Sequence, residues 1–382
     1  MDTMNKIEDI ITDDDFSFPS MERPVSMPLF QNSLFCFDST DDLKKAIGNE
    51  YGAYLYSRGN NPTVKQVEQR IAKAEKGERA KLFASGVAAI SATVLSQVQS
   101  GDHIICSDSA YSWAKHICSV YLKRFNVSVT FVDTKDIDAV KKAVCKNTRV
   151  LYIESPGSLF MSVSDLKALV EICKNNSIFS IIDNTWATPV FQYPLTLGID
   201  AVVHSASKYL GGHSDILGGC VISNNAIIEH IFKTEFLPTG AVPDPFQAWL
   251  IQRGMRTLKI RLDYHYKAAM AVCDYLYTKN EVEQVYYPMH PKSPDYSLAS
   301  SQMGGGCGLL SIKLKTDDEA KIKKAVDGLR FFRIGVSWGG YESLVFPLLA
   351  ANGDPRLLRL HIGLENTDSL IEDLDKALFL LK

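Results

Sequence analysis

The stretch VVHSASKYLGGHSDILGG, residues 202–219, puts a single lysine where the chain has just left an apolar, β-rich run. That run ends in small polar residues, Ser205 and Ser207, and a glycine-dense turn follows Lys208. The next acidic residue downstream is Asp215. Lysines normally sit on solvated faces. An isolated ammonium at the end of a buried strand, among residues too small to cover it, points to chemistry at the amine.

Outward from this stretch the pattern is regular. Upstream, strand-like AKLFAS (80–85), HIICSD, VSVTFVD, RVLYIES, IFSIIDN (178–184) and IDAVVHSAS (199–207) alternate with amphipathic, helix-like segments. GCVIS (219–223) reads as a further strand. Continuous apolar strands between amphipathic helices predict an α/β fold, with a mostly parallel sheet covered by helices on both faces. Near Pro245 the texture changes. Residues 244–279 read as one long helix, followed by GLLSIKL (308–314), a helix over 317–329, the strand LLRLHIGL and a final helix. This predicts a smaller C-terminal α/β domain. The division is 1–60, 61–245 and 246–382, with the first segment irregular and rich in Pro, Ser, Asp and Phe.

The totals restrict function. The 382 residues carry 41 basic and 44 acidic side chains, a net charge of −3, which gives no basic excess for nucleic acid or an anionic membrane. No apolar run reaches the length of a membrane span, and the acidic N-terminus lacks the features of a secretory signal. The eight cysteines form no C-x-x-C and read as reduced core thiols of a cytoplasmic protein; no Cys/His spacing suggests a metal site.

Ligands of open α/β sheets gather at the carboxyl ends of the strands. Asp183 ends one strand and Lys208 follows the next, so both can face one crevice. Taken singly, an Asp after a strand is a turn or cap residue and a lone Lys a surface charge. An anion site changes that reading. In FASGVAAIS (83–91), Ser85 and Gly86 lead from a strand into a helix N-terminus, whose free N–H groups cradle phosphate. Ser205 and Ser207 add hydroxyl donors. An amine for Schiff-base attachment, a carboxylate for a pyridinium nitrogen and a phosphate cradle together point to pyridoxal 5'-phosphate.

With those residues in view, the chain resembles the Cys/Met-metabolism family of pyridoxal-phosphate enzymes, from about residue 50 onward. YSRGNNPT, LFASGVAAI, IIDNTWATP, HSASKYLGGHSD, RGMRTLKIRLDYH, SWGGYESL and LLRLHIGLE have counterparts there in the same order. The resemblance implies the type I fold of pyridoxal-phosphate-dependent transferases. It implies catalytic roles for Lys208 and for Tyr111, which stacks on the cofactor ring, with Asp183 as pyridinium partner. Ser85, Gly86, Val87, Ser205 and Ser207 match the phosphate contacts, although the family more often has Met at 87 and Thr at 207. Tyr56 and Arg58 match residues that reach the site of a neighbouring subunit, implying a homo-oligomer built as a dimer of dimers, with residues 1–60 as a contacting arm. Arg359 matches the clamp on the substrate carboxylate, with Arg356 as the fallback, and Ser337, Trp338 and Tyr56 face an amino-acid substrate.

Within the family, SWGGYESL is similar to bacterial cystathionine β-lyases, with Val336 and Trp338 where γ-enzymes often carry an acid and an aliphatic residue. The expected reaction is β-elimination of cystathionine or a related cysteine S-conjugate to pyruvate, ammonia and a thiol. RGNNPT is closer to the γ-lyases, so γ-lyase, γ-synthase or O-acylhomoserine sulfhydrylase chemistry is the alternative. Cys118 does not fit the reactive cysteine of methionine γ-lyases. A catalytically idle protein that retains the cofactor pocket is a third reading.

Overall fold

Seven strands form the first sheet of the computed structural model, which describes residues 6–12 and 24–382. They are β1 (Arg79–Phe83), β2 (His103–Ser107), β3 (Ser128–Val132), β4 (Thr148–Glu154), β5 (Phe179–Asp183), β6 (Ala201–His204) and β7 (Gly219–Ser223). Their order is β1-β7-β6-β5-β4-β2-β3. Only β7 runs against its neighbours; the β6–β5, β5–β4, β4–β2 and β2–β3 pairs are parallel.

The continuous apolar strands follow from cover on both faces. Leu82, Ile105, Leu151, Ile182, Val202 and Ile222 pack into one core layer. The alternate residues Phe83, Ile104, Val150, Ile181, Val203 and Val221 pack into the other. Polar caps start the covering helices. Asn61 accepts the Thr63 N–H ahead of Pro62–Ala74, and Ser85 accepts that of Ala88 ahead of Gly86–Leu95.

The second sheet contains β8 (Val282–Tyr286), β9 (Leu309–Leu314), β10 (Arg333–Ile334), β11 (Leu344–Pro347) and β12 (Leu357–His361), in the order β10-β11-β12-β9-β8. All its pairs except β10–β11 are antiparallel. Its inner residues Leu310, Ile312 and Leu360 join the same core layer as Leu82 and Val202.

Three expectations are corrected. The predicted long helix over 244–279 is two helices, Pro245–Met255 and Leu258–Leu276. The chain turns at Thr257 (φ −107°, ψ 7°), and the turn brings Arg261 Nη2 to the carbonyls of Tyr209, at 2.9 Å, and Gly254, at 2.8 Å. The irregular first segment contains the helices Ile7–Thr12 and Thr40–Gly48, the latter capped by Ser39; residues 1–5 and 13–23 of that segment lie outside the described residues. All eight cysteines are free, but Cys36 and Cys145 are exposed rather than in the core. Among the described residues no helix is long and apolar enough to cross a membrane. No cluster of His, Cys, Asp or Glu there could hold a metal ion.

Candidate active site

The carboxyl ends of β2, β4, β5 and β6 lie side by side. Glu154 and Asp183 are partners across β4–β5, and Asp183 pairs with Val203 on β6. Lys208 lies four residues beyond the end of β6, in a turn closed by the Lys208 N–H to Ser205 O bond (3.1 Å) and the Gly212 N–H to Lys208 O bond (2.7 Å). The turn is pinned from below. Gly254 lies so close that a Cβ there would stand 2.1 Å from Gly211 O, and Arg261 grips Tyr209 O. It is pinned from above by the loop after β10. Gly339 has φ +85°, and a Cβ on it would meet Lys208 Cβ at 2.9 Å and Lys208 Cα at 3.0 Å. Only glycine suits that combination of dihedral and contact.

The same loop supplies the partners of the amine. Lys208 Nζ donates to Ser337 Oγ at 3.0 Å and stands 5.8 Å from the centroid of the Trp338 ring. Trp338 rests against buried Tyr209, whose hydroxyl accepts the Gly308 N–H at 2.9 Å. Burial and then the Arg359 charge lower the amine below its usual value, and Asp183 opposes them. Less free energy is therefore needed to make it neutral.

Asp183 is buried and held by Thr185, which donates both its N–H, at 2.9 Å, and its hydroxyl to Oδ1. Thr185 Oγ1 in turn accepts the Ser205 N–H at 2.9 Å, linking the ends of β5 and β6. Burial raises the Asp183 carboxyl above its usual range; the Thr185 bonds and the His204 and Lys208 charges oppose that.

Glu154 was not anticipated from the sequence. Its Oε2 accepts the Tyr111 N–H at 2.6 Å, and its Oε1 accepts from Ser158. Burial, and next the Asp183 charge, push it up to about 8. The signal was available: Glu154 ends an apolar strand as Asp183 does, one strand over. Tyr111 occupies the residue before the helix Ser112–His116 and is partly exposed; burial first, and then Glu154, raise its phenol above the usual value.

Arg359 on β12 donates to Val336 O and lies 5.3 Å from the centroid of the Phe346 ring. Burial lowers it to about 10, with Glu154 and Tyr111 opposing. The fallback Arg356 is occupied elsewhere, in ion pairs with Asp354 (3.0 Å) and Glu283 (3.3 Å).

At the helix Gly86–Leu95, Ser85 Oγ is used by the Ala88 N–H, which leaves Gly86 and Val87 with no intrahelical acceptor. A Cβ at Gly86 would meet Ser205 Cβ at 2.9 Å, so the bare backbone is needed for Ser205 to approach the helix end. Ser207 Oγ is engaged with Gly218, accepting its N–H at 3.0 Å and donating to its carbonyl at 3.3 Å. The donor set suits a phosphate beside a lysine and a buried carboxylate: free helix N–H groups, a serine, an amine at 3.0 Å from one hydroxyl, and Asp183, whose burial a neighbouring cation would offset.

Tyr56 and Arg58 do not join this group within the chain. Both are exposed. Their segment is bridged to Leu34 through Tyr56 and tied to Lys81, whose Nζ donates to Gly59 O at 2.9 Å.

A mostly parallel sheet with an amine, a carboxylate and a phosphate cradle at its carboxyl edge defines a pyridoxal-phosphate-dependent enzyme of type I fold. The chain belongs to the Cys/Met metabolism PLP-dependent enzyme family, whose description matches residues 14–379, starting well before the position near 50 expected from the motifs. It is 37% identical over 369 residues to an L-methionine gamma-lyase from Fusobacterium nucleatum subsp. nucleatum, covering 93% of each chain. It is 34% identical over 367 residues to a cystathionine gamma-lyase from Bacillus subtilis, covering 93% of this chain and 94% of the relative. A putative O-acetylhomoserine (thiol)-lyase from Campylobacter jejuni superposes with a TM-score of 0.91 at 28% identity, over 98% of this chain and 99% of that one; its structure carries N'-pyridoxyl-lysine-5'-monophosphate. The cofactor of this protein is pyridoxal phosphate, and its chemistry is that of the carbon–sulfur lyases and synthases of the family.

Proposed function

We propose that the protein breaks the Cβ–S bond of cystathionine or a related cysteine S-conjugate, consuming water and releasing pyruvate, ammonia and a thiol. The observation that carries this reading is the placing of Trp338 with its ring 5.8 Å from Lys208 Nζ, on the loop that also holds Ser337. A bulky indole there confines a substrate so that Cβ, one bond from Cα, stays close to the amine. Bound pyridoxal phosphate withdraws electrons from the substrate's Cα.

The chain's own residues do the remainder. Arg359, oriented by Val336 O and resting near Phe346, takes the substrate α-carboxylate. Lys208, its amine lowered by burial and Arg359, holds the cofactor and accepts the Cα proton. Ser337 steers Nζ between those positions. Asp183 would keep the pyridinium nitrogen protonated, and Tyr111, fixed through its N–H by Glu154, would pack on the ring. Ser85, Gly86, Val87 and Ser205 receive the phosphate, with Ser207 bracing the turn through Gly218. Tyr56 and Arg58, exposed on their own chain, complete the site of a neighbour in a dimer of dimers. Eight free thiols, two of them exposed, suit the cytoplasm. Residues 61–245 bind the cofactor, and 246–382 close over it.

The second reading is γ-elimination, favoured by the 37% identity to an L-methionine gamma-lyase. A γ-reaction must also move a proton off Cβ, and Val336 offers no carboxylate beside Ser337 to assist. Product analysis separates the two. With cystathionine we expect pyruvate and homocysteine, and with methionine little 2-oxobutyrate. Chiefly 2-oxobutyrate from cystathionine, or turnover of methionine to 2-oxobutyrate as fast as that of cystathionine to pyruvate, overturns the β-assignment.

A further inference from the structure

A cleft of about 300 Å³, lined by none of the site residues named above, lies between the helix Pro62–Ala74 and the edge strand β1. Its walls are rich in positive charge. Lys65, Gln69 and Lys73 follow one another at helical spacing along one face, and Tyr51 and Arg79 close the opposite side. The acidic groups in the lining are already used. Glu68 Oε1 pairs with buried Lys81 at 3.1 Å and accepts the Leu82 N–H at 3.0 Å; Glu78 Oε2 accepts the Asn225 N–H at 2.8 Å. Arg79 Nε and the Tyr51 hydroxyl both donate to Asn225 Oδ1, at 3.2 Å each, which fixes those two side chains in place.

Neither Lys65 nor Lys73 pairs with a carboxylate among the described residues, although half-buried Lys65 lies 5.6 Å from the Tyr51 ring centroid. Lys65, Lys73, Arg79 and Lys81 outnumber the two carboxylates of the lining, Glu68 and Glu78, and an excess of positive charge around a concave space attracts anions. Burial lowers the Lys65 amine below its usual value; Lys81 and Arg79 add to this and Glu68 opposes it. An anion between Lys65, Lys73 and Arg79 relieves that burial and repulsion together. The volume is at the lower end of small-molecule sites.

We propose that this cleft binds a phosphate-bearing small molecule, with Lys65, Lys73 and Arg79 as its charged ligands. The site is distinct from the cofactor's phosphate cradle, which in the holoenzyme is filled.

The test uses cofactor-saturated holoenzyme, titrated calorimetrically with inorganic phosphate and separately with adenosine monophosphate. We expect saturable binding of one anion per chain, weakened about tenfold by Lys65→Gln and again by Lys73→Gln, each variant losing one charge-assisted contact. The cofactor absorbance of both variants stays that of the parent. Tighter binding of the nucleotide than of phosphate assigns a larger phosphate ester; equal binding assigns the phosphate group alone. The absence of saturable binding by either probe overturns the proposal. So does binding that neither variant weakens, a result open even if Lys65→Gln misfolds, because Lys73 is exposed.

Discussion

Replacing Glu154 with Gln tests the electrostatics at the centre of the site. The folded chain holds the Glu154 proton up to about pH 8, against an ordinary value of 4.5, because burial and Asp183 both oppose its ionisation. Between those two values the unfolded chain has lost a proton that the folded chain keeps. Stability contributed by this group is full below about 4.5 and declines as pH rises toward 8. One proton gives a slope of at most about 1.4 kcal/mol per pH unit, so about 2–3 kcal/mol between pH 5.5 and 7.5. Gln has the shape of the neutral acid. Its carbonyl can accept the Tyr111 N–H and its amide can face Ser158, so the variant folds but does not titrate. Urea unfolding of both proteins in their cofactor-free form, at fixed protein concentration and ionic strength and at half-unit pH steps, measures the difference. We expect the wild-type stability to fall relative to Glu154→Gln by about 2–3 kcal/mol over that range. Parallel curves refute the reasoning, since they mean that Glu154 is ionised throughout and that burial next to Asp183 is compensated by Arg359 and the hydrogen bonds.

Three further outcomes follow from the site. Lys208→Ala removes the amine proposed to attach the cofactor and accept the proton, and turnover is expected to fall beyond the roughly 10²–10⁴-fold typical of general acid–base help; activity within about tenfold of wild type contradicts the assignment. Arg359→Lys keeps the charge but loses the planar fork, so KM for the amino-acid substrate should rise by about ten- to a hundredfold with the cofactor spectrum unchanged. Neither Arg58→Ala nor Lys208→Ala should be active alone, and mixed assemblies should regain part of the activity; verified hybrids without rescue mean that Arg58 acts within its own chain.

The sequence alone determined the layered sheet and the identity of the central chemical groups. Strands such as HIICS and GCVIS are apolar on both faces because helices cover both, and that periodicity is local. Lys208, Asp183 and the Ser85–Gly86 turn were legible because each follows a strand end, where an α/β sheet presents its ligands. Other features depend on contacts between distant segments. The break at Thr257 has no proline to announce it and is coupled to the grip of Arg261 on Tyr209 O. Glu154 carries no motif of its own. It becomes part of the site because parallel pairing sets it beside Asp183 and places the Tyr111 N–H on its carboxyl. Arg356 and Arg359 are close in sequence, yet one is spent on Asp354 and Glu283 while the other is half-buried and within reach of the Glu154 and Tyr111 charges. Only tertiary structure decides such matters, because solvation and charge depend on what packs nearby, and those neighbours come from the far ends of the chain.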